Sequence, residues 1–192
     1  MKMYKFFLKN VPLNCIRHND LPCYVTEGFG ARPIEEWPIY TFFQQYLLGE
    51  TESAKQNFEN WYKDQLNKYH SIPKVEGGMH KGSLYSLVEK ECKVSFSKVD
   101  ESCKNAAIRT RVEQRFQLLE DMKEYGYSTT QTERIDVVRK NGSLYLTGGH
   151  HRVAALLALG EKELPNVLVF RNLFIYNLFN LLRSIKHGHL QK

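Results

Sequence analysis

Leu146-Thr147-Gly148-Gly149-His150-His151-Arg152-Val153-Ala154-Ala155 is the stretch from which the rest of the chain is read. Upstream, Ile135-Asp-Val-Val-Arg139 reads as a strand, Asn141-Gly142 has the chemistry of a type I′ turn, and Ser143-Leu-Tyr-Leu-Thr147 reads as the return strand of a hairpin. The two glycines that follow permit a tight turn and close backbone approach. Downstream, Val153 to Leu159 is made of good helix formers and stops at Gly160, a residue suited to the position just past a helix end. The turn therefore feeds a strand into a helix, where unpaired backbone N–H groups and the positive end of the helix dipole converge. Two histidines and an arginine stand on that first turn, so the arrangement is an anion site. Phosphate, and in particular the phosphates of a nucleotide, suits it best.

A second basic signal lies earlier. Ile108, Val112, Phe116, Leu119 and Met122 recur at helical spacing and predict a buried stripe on a helix from Ile108 to Tyr125. Arg111 and Arg115 sit one turn apart on its flank. The guanidinium fork is planar, always charged and bidentate toward phosphate. A solvated face with Arg109 and Glu113 as an i,i+4 pair fits the same spacing equally well.

The ordered series resembles the ParB/sulfiredoxin superfamily. It consists of the helix Ile108–Gly126, a strand, Gly148-Gly149-x-His151-Arg152, an Ala-rich helix, and Glu163-Leu-Pro-Asn-Val-Leu-Val-Phe170. The resemblance spans residues 93–170. It implies an α+β fold with a small mixed sheet and helices, and a nucleoside triphosphate bound at the turn. His151 and Arg152 would match the family's His-Arg pair on the phosphates, with Gly148 and Gly149 lining them and Arg111 or Arg115 beside the nucleotide. Members use the nucleotide differently. Sulfiredoxins phosphorylate a sulfinic acid, free-serine kinases an amino acid, and partition proteins use CTP as a clamp switch.

The departures from that pattern narrow the expectation. Sulfiredoxins carry their catalytic cysteine where this chain has His150, which sets sulfinic acid repair aside. Many relatives have Asp where this chain has Gly148, so a carboxylate must come from elsewhere. Partition proteins typically have Gly-Glu-Arg-Arg followed by a helix-turn-helix domain, whereas only residues 171–192 follow the last core strand here. The reading that emerges is a nucleotide-dependent phosphotransferase, a kinase acting on a small polar metabolite such as an amino acid or a sugar-type alcohol. ATP or ADP is the expected cofactor, with CTP a further candidate, together with Mg²⁺. The alternatives are a non-catalytic nucleotide or nucleic-acid binding module, or a nuclease.

Phosphoryl transfer needs in-line positioning, charge neutralisation and a group that orients the acceptor. Glu133 and Asp136 by the first core strand are the leading carboxylates, with Asp100, Glu101 and Glu27 behind them. His150, whose ordinary pKa lies near neutrality, is the candidate donor or base at the reacting centre. Lys81 and Ser83, in the glycine-rich Glu76–Ser83 loop before a helix at Leu84–Glu91, are candidate substrate contacts on a lid. The competing reading is a connector with Ser83 as helix cap.

Residues 1–92 are expected to form a helical N-terminal subdomain, residues 93–170 the nucleotide-binding core, and residues 171–192 a C-terminal amphipathic helix. Residues 10–38, rich in proline, read as strand-poor loop. Ile39–Leu48 and Glu52–Tyr69 read as aromatic helices. Phe42, Phe43, Tyr46, Trp61 and Tyr62 would wall an acceptor pocket against the turn. The C-terminal helix packs on the sheet or on a second copy in a homodimer; a membrane-surface anchor is the less favoured reading.

The net charge of +6 and pI near 9.1 are compatible with nucleic acid but do not demand it, since the basic residues are scattered. No signal peptide or transmembrane run is apparent. Cys15, Cys23, Cys92 and Cys103 form no C-x-x-C pair and read as free thiols of a reducing, cytoplasmic compartment. Cys15-x-x-His18 with Cys23 is a poor start for a zinc site, which needs four spaced ligands.

Overall fold

A computed structural model describes residues 5–18, 33–70, 88–89, 91–93, 98–127, 135–140, 143–164, 166–171, 174–176 and 178. In chain order these form β1 (Lys5–Leu8), β2 (Val11–Pro12), β3 (Ile16–His18), α1 (Pro38–Leu47), α2 (Thr51–His70), α3 (Glu101–Tyr125), β4 (Asp136–Lys140), β5 (Ser143–Gly148), α4 (His150–Ala158), β6 (Glu163–Leu164) and β7 (Val167–Phe170). Short 3₁₀ turns occupy Leu13–Cys15 and Ile34–Glu36.

The expected hairpin is present, as β4 and β5 pair antiparallel. β7 returns parallel to β4, with Val137 opposite Val169. β1 and β3 complete a five-stranded mixed sheet in the order β1-β7-β4-β5-β3. β1 runs antiparallel to β7 and β3 parallel to β5, while β2 and β6 form a separate two-stranded ribbon. The class is α+β.

The N-terminal strands differ from the helical subdomain and strand-poor loop expected there. β2 and β3 have two and three residues. That is too short for a period-2 pattern to show in sequence. Their partners in β6 and β5 lie far along the chain, so nothing local announces the pairing.

The helices cover one face of the sheet. β7 is buried along its whole length, as a strand covered on both faces must be. Val167 and Val169 face the main core with Val137, Leu144 and Leu146, whereas Leu168, Phe170 and Val138 form a second cluster. Ile175 and Tyr176, in the helical residues 174–176, pack on that second cluster. The ring of Tyr176 meets Phe170 edge-on at 5.2 Å. This segment therefore lies on the sheet, as the packing reading expects.

Helix α3 begins at Glu101, earlier than Ile108, because the Asp100 side chain accepts the Cys103 amide N–H at 2.8 Å and caps it. The predicted stripe Ile108, Val112, Phe116, Leu119 and Met122 is buried throughout. α1 and α2 lie against each other, α2 also against α3, and α4 against both α1 and α3. Gln44 Nε2 donates to the Ala158 carbonyl at 3.0 Å, tying α1 to the end of α4.

The aromatic residues expected to wall a pocket belong largely to this packing. Phe43 is fully buried, Tyr46 stacks on Phe116 at 4.5 Å, and Phe58 stacks on Tyr62 at 4.8 Å. Phe42 and Trp61 lean on Phe58. A sequence shows that such residues share a helix face; it does not show whether that face meets a ligand or another helix.

Two polar expectations are also corrected. Cys92 and Cys103 form a disulfide with a Cα–Cα distance of 6.0 Å, joining the segment before α3 to its first turn. Cys15 is free and exposed. The reading of free thiols, and the argument for a reducing compartment built on it, loses its basis at this pair. Glu113 pairs with Lys55 of α2 at 3.0 Å rather than with Arg109. The Asn141-Gly142 turn, the Glu76–Ser83 loop, Cys23 and most of residues 172–187 lie outside the described residues. Of the Leu84–Glu91 helix, residues 88–89 and 91 are helical.

Candidate functional site

The turn after β5 is built by its glycines. Gly148 is the last residue of β5 and Gly149 adopts φ 88°, ψ 20°, the left-handed conformation that a side chain disfavours. That reversal ends the strand and starts α4 at His150. The first N–H groups of α4 have no carbonyl one turn back to receive them, so they are the donors of the turn.

The two histidines diverge, because consecutive helical residues point about 100° apart. His150 turns inward. It is 8% exposed, and its ring lies 5.9 Å from that of Trp37, which is wholly buried. Position 150 shares a face with Val153 and Ala154, which are both buried. The residue expected to face a reacting centre is thus seated in the core beside the turn.

His151 lies among the cations. Burial, then the charges of Arg115, His150, Arg111 and Arg152, push its pKa well below the usual 6.5. The residue as a whole is partly exposed. His151 is therefore neutral near pH 7 and can offer one N–H without adding a further positive charge. Helix α3 packs against α4, and Arg111 and Arg115 of the one with Arg152 of the other all lie near enough to His151 to act on its charge. Arg111, Arg115 and Arg152 are each partly exposed. The two basic signals, far apart in sequence, converge.

Asp136 stands at the same end of the sheet. It pairs with Gly148, and a bulge between Asp136 and Val137 re-aims its side chain. A Cβ built on Gly148 would lie 3.7 Å from Asp136 Oδ2 and 3.9 Å from the Tyr176 hydroxyl. The other carboxylates are engaged elsewhere: Asp100 caps α3, and Glu101 pairs with Lys104 at 2.7 Å. Glu133, Glu27, Lys81 and Ser83 lie outside the described residues. Among the described residues no three His, Cys, Asp or Glu side chains gather as a metal site.

Sequence reasoning did not find Trp37 or Tyr176. Trp37 precedes Pro38 at the start of α1, and its extended backbone (φ −76°, ψ 134°) is the conformation that a following proline favours. That signal predicts the helix start but not the His150 partner. Tyr176 sits in an apolar run whose docking surface cannot be read locally. No family model, curated protein or solved structure matches this chain.

Proposed function

We propose that this protein is a nucleotide-dependent phosphotransferase of ParB/sulfiredoxin type, acting on a small polar hydroxyl- or amine-bearing metabolite. The observation that carries the reading is the convergence of Arg111, Arg115 and Arg152 on His151, where the left-handed Gly149 opens a helix N-terminus. Three guanidinium groups and a neutral imidazole form a set of donors that matches the oxygens of a polyphosphate. The start of α4 adds backbone N–H donors that suit a phosphate.

In this reading Arg111, Arg115 and Arg152 clamp the phosphates, and His151 donates one hydrogen bond. Asp136 orients the acceptor and accepts its proton. Its carboxylate would also be the one available to hold Mg²⁺, an ion that commonly takes only one or two protein carboxylates beside phosphate oxygens. The bound metal nucleotide would supply the transferable phosphoryl group and neutralise its charge. His150 acts from behind, fixing the first turn of α4 against Trp37. Asp136 beside the turn favours a catalytic protein over a passive nucleotide binder.

The test is thermal shift with ATP, ADP and CTP, each with and without Mg²⁺, followed by nucleotide turnover against a panel of amino acids and sugars. ATP or ADP is expected to raise the melting temperature and to be consumed with some acceptor. If no nucleotide shifts the melt at millimolar concentration, the reading fails. Binding without turnover returns the protein to the class of nucleotide-binding modules.

A further inference from the structure

The C-terminal segment reaches the turn through two consecutive hydrogen bonds. The Tyr176 hydroxyl donates to the Thr147 carbonyl at 3.0 Å, and Thr147 Oγ1 donates to the Asp136 carbonyl at 3.0 Å. Thr147 is 3% exposed, so both bonds are shielded from water, where a lost partner costs most. The chain of contacts runs from the helical residues after β7, across the last residues of β5, to the first residue of β4. Each step ends beside Gly148, where the Asp136 carboxylate and the Tyr176 hydroxyl flank the space that a Cβ on this residue would take. The ring of Tyr176 is held meanwhile by Phe170, whose strand β7 pairs with β4.

We infer that Tyr176 is a positioning residue. It latches the Thr147–Gly148–Gly149 backbone to the sheet face opposite the helices and so fixes Asp136 relative to the N–H groups at the start of α4. The carbonyl it holds belongs to the residue just before the two glycines. Those glycines have no side chains of their own to anchor them, so the hydroxyl adds a restraint from the opposite sheet face to the pairing of Gly148 with Asp136. The C-terminal segment is then a working part of the site rather than a cover for apolar surface. Its effect on a ligand rests on the phosphate-binding reading of the turn; its hold on the backbone does not.

Tyr176→Phe keeps the ring on Phe170 and removes only the donor. Ile175→Ala is the comparison, since it loosens the same segment without touching Thr147. Amide hydrogen exchange in the full chain reads the latch at residues 146–148 of β5 and at Val153, whose N–H donates to the Gly149 carbonyl at 3.0 Å. Tyr176→Phe is expected to speed exchange there about fivefold, the shift in opening equilibrium for one net hydrogen bond. Ile175→Ala is expected to leave those amides near the wild-type rate. Calorimetric titration with ATP and Mg²⁺ then reads the site. Tyr176→Phe should weaken binding about three- to tenfold, and an added Asp136→Asn should weaken it no further than Asp136→Asn alone. Unchanged exchange at residues 146–148 and 153 in Tyr176→Phe overturns the latch. Faster exchange with wild-type ATP affinity overturns the positioning role. A wild-type protein that binds no ATP sinks the nucleotide reading, while the exchange result still decides the latch.

Discussion

At the scale of single residues, the site turns on which charges are present before a ligand arrives. Arg152 stands at the third residue of α4 beside Arg115 and His151. Removing its guanidinium deletes a charge-assisted hydrogen bond worth about 1.5–3 kcal/mol. Arg152→Ala is therefore expected to weaken ATP binding about 10- to 100-fold by calorimetry. Arg152→Lys should recover only part of this, because an ammonium cannot reproduce the fork. Wild-type affinity in Arg152→Ala removes the residue from the site.

Asp136 carries a different expectation. As the proposed base that orients the acceptor, it would contribute to turnover and, through Mg²⁺, to the affinity for the metal nucleotide. Asp136→Asn should lower kcat by about 10²–10⁴-fold. Unchanged turnover in that variant would mean that the carboxylate lies in Glu133 or another residue.

His151 gives a prediction in pH. Its pKa in the folded protein lies below 6.5, so the unfolded chain binds the proton more readily. Stability is then complete above the unfolded value and is lost as pH falls below about 6.5, by up to about 1.4 kcal/mol per pH unit for one proton. His151→Asn, which cannot titrate, should flatten that part of the fall between pH 7.5 and 5.5 in denaturant melts. Parallel curves for variant and wild type would show that His151 is not enclosed by Arg115, Arg111 and Arg152.

At the scale of elements, the chain was most legible where local chemistry alone decides structure. The α3 stripe, the hairpin β4–β5, the α4 start after two glycines and its stop at Gly160 all depend on contacts between near neighbours in sequence. So does the backbone of the turn from Gly148 to Arg152. What could not be read depends on partners remote in sequence. β3 forms only because β5 offers it an edge. Trp37 matters because α1 lies against α4. Asp136 could be separated from Asp100 and Glu101 only once its register opposite Gly148 was known. The adjacent histidines show the limit well. Helical geometry says that they diverge, but the neighbours decide which one meets the arginines. The turn also carries its own prediction. Gly149 at φ 88° leaves an added Cβ in a disfavoured conformation. Gly149→Ala should cost about 1–3 kcal/mol of stability and tilt the first turn of α4. A fully stable Gly149→Ala protein would mean that the turn adopts another backbone.

At the scale of the whole molecule, residues before 93 are not an accessory to an independent core. β1 pairs with one flank of the sheet through β7, and β3 with the other through β5. The same half supplies Trp37, Ile39, Phe43, Ala54 and Phe58, which join Ile108, Val112, Phe116 and Val153 in one hydrophobic cluster. Taking that half away would uncover the faces of α3 and α4 that hold Arg115 and His150 in place. It would also leave two strands with bare hydrogen-bonding edges, a state prone to association with other chains. The loss far exceeds the few kcal/mol by which a domain is usually stable. A fragment of residues 93–192 is accordingly expected to show no cooperative melt and no dispersed amide spectrum, and to bind no ATP. A milder change should act in the same direction: Phe58→Ala, which empties a fully buried site between α1, α2 and α3, should cost about 3–5 kcal/mol. If the fragment instead melts cooperatively with an intact sheet, residues 93–192 fold on their own. The aromatic half would then have to be explained by a partner or substrate rather than by the core.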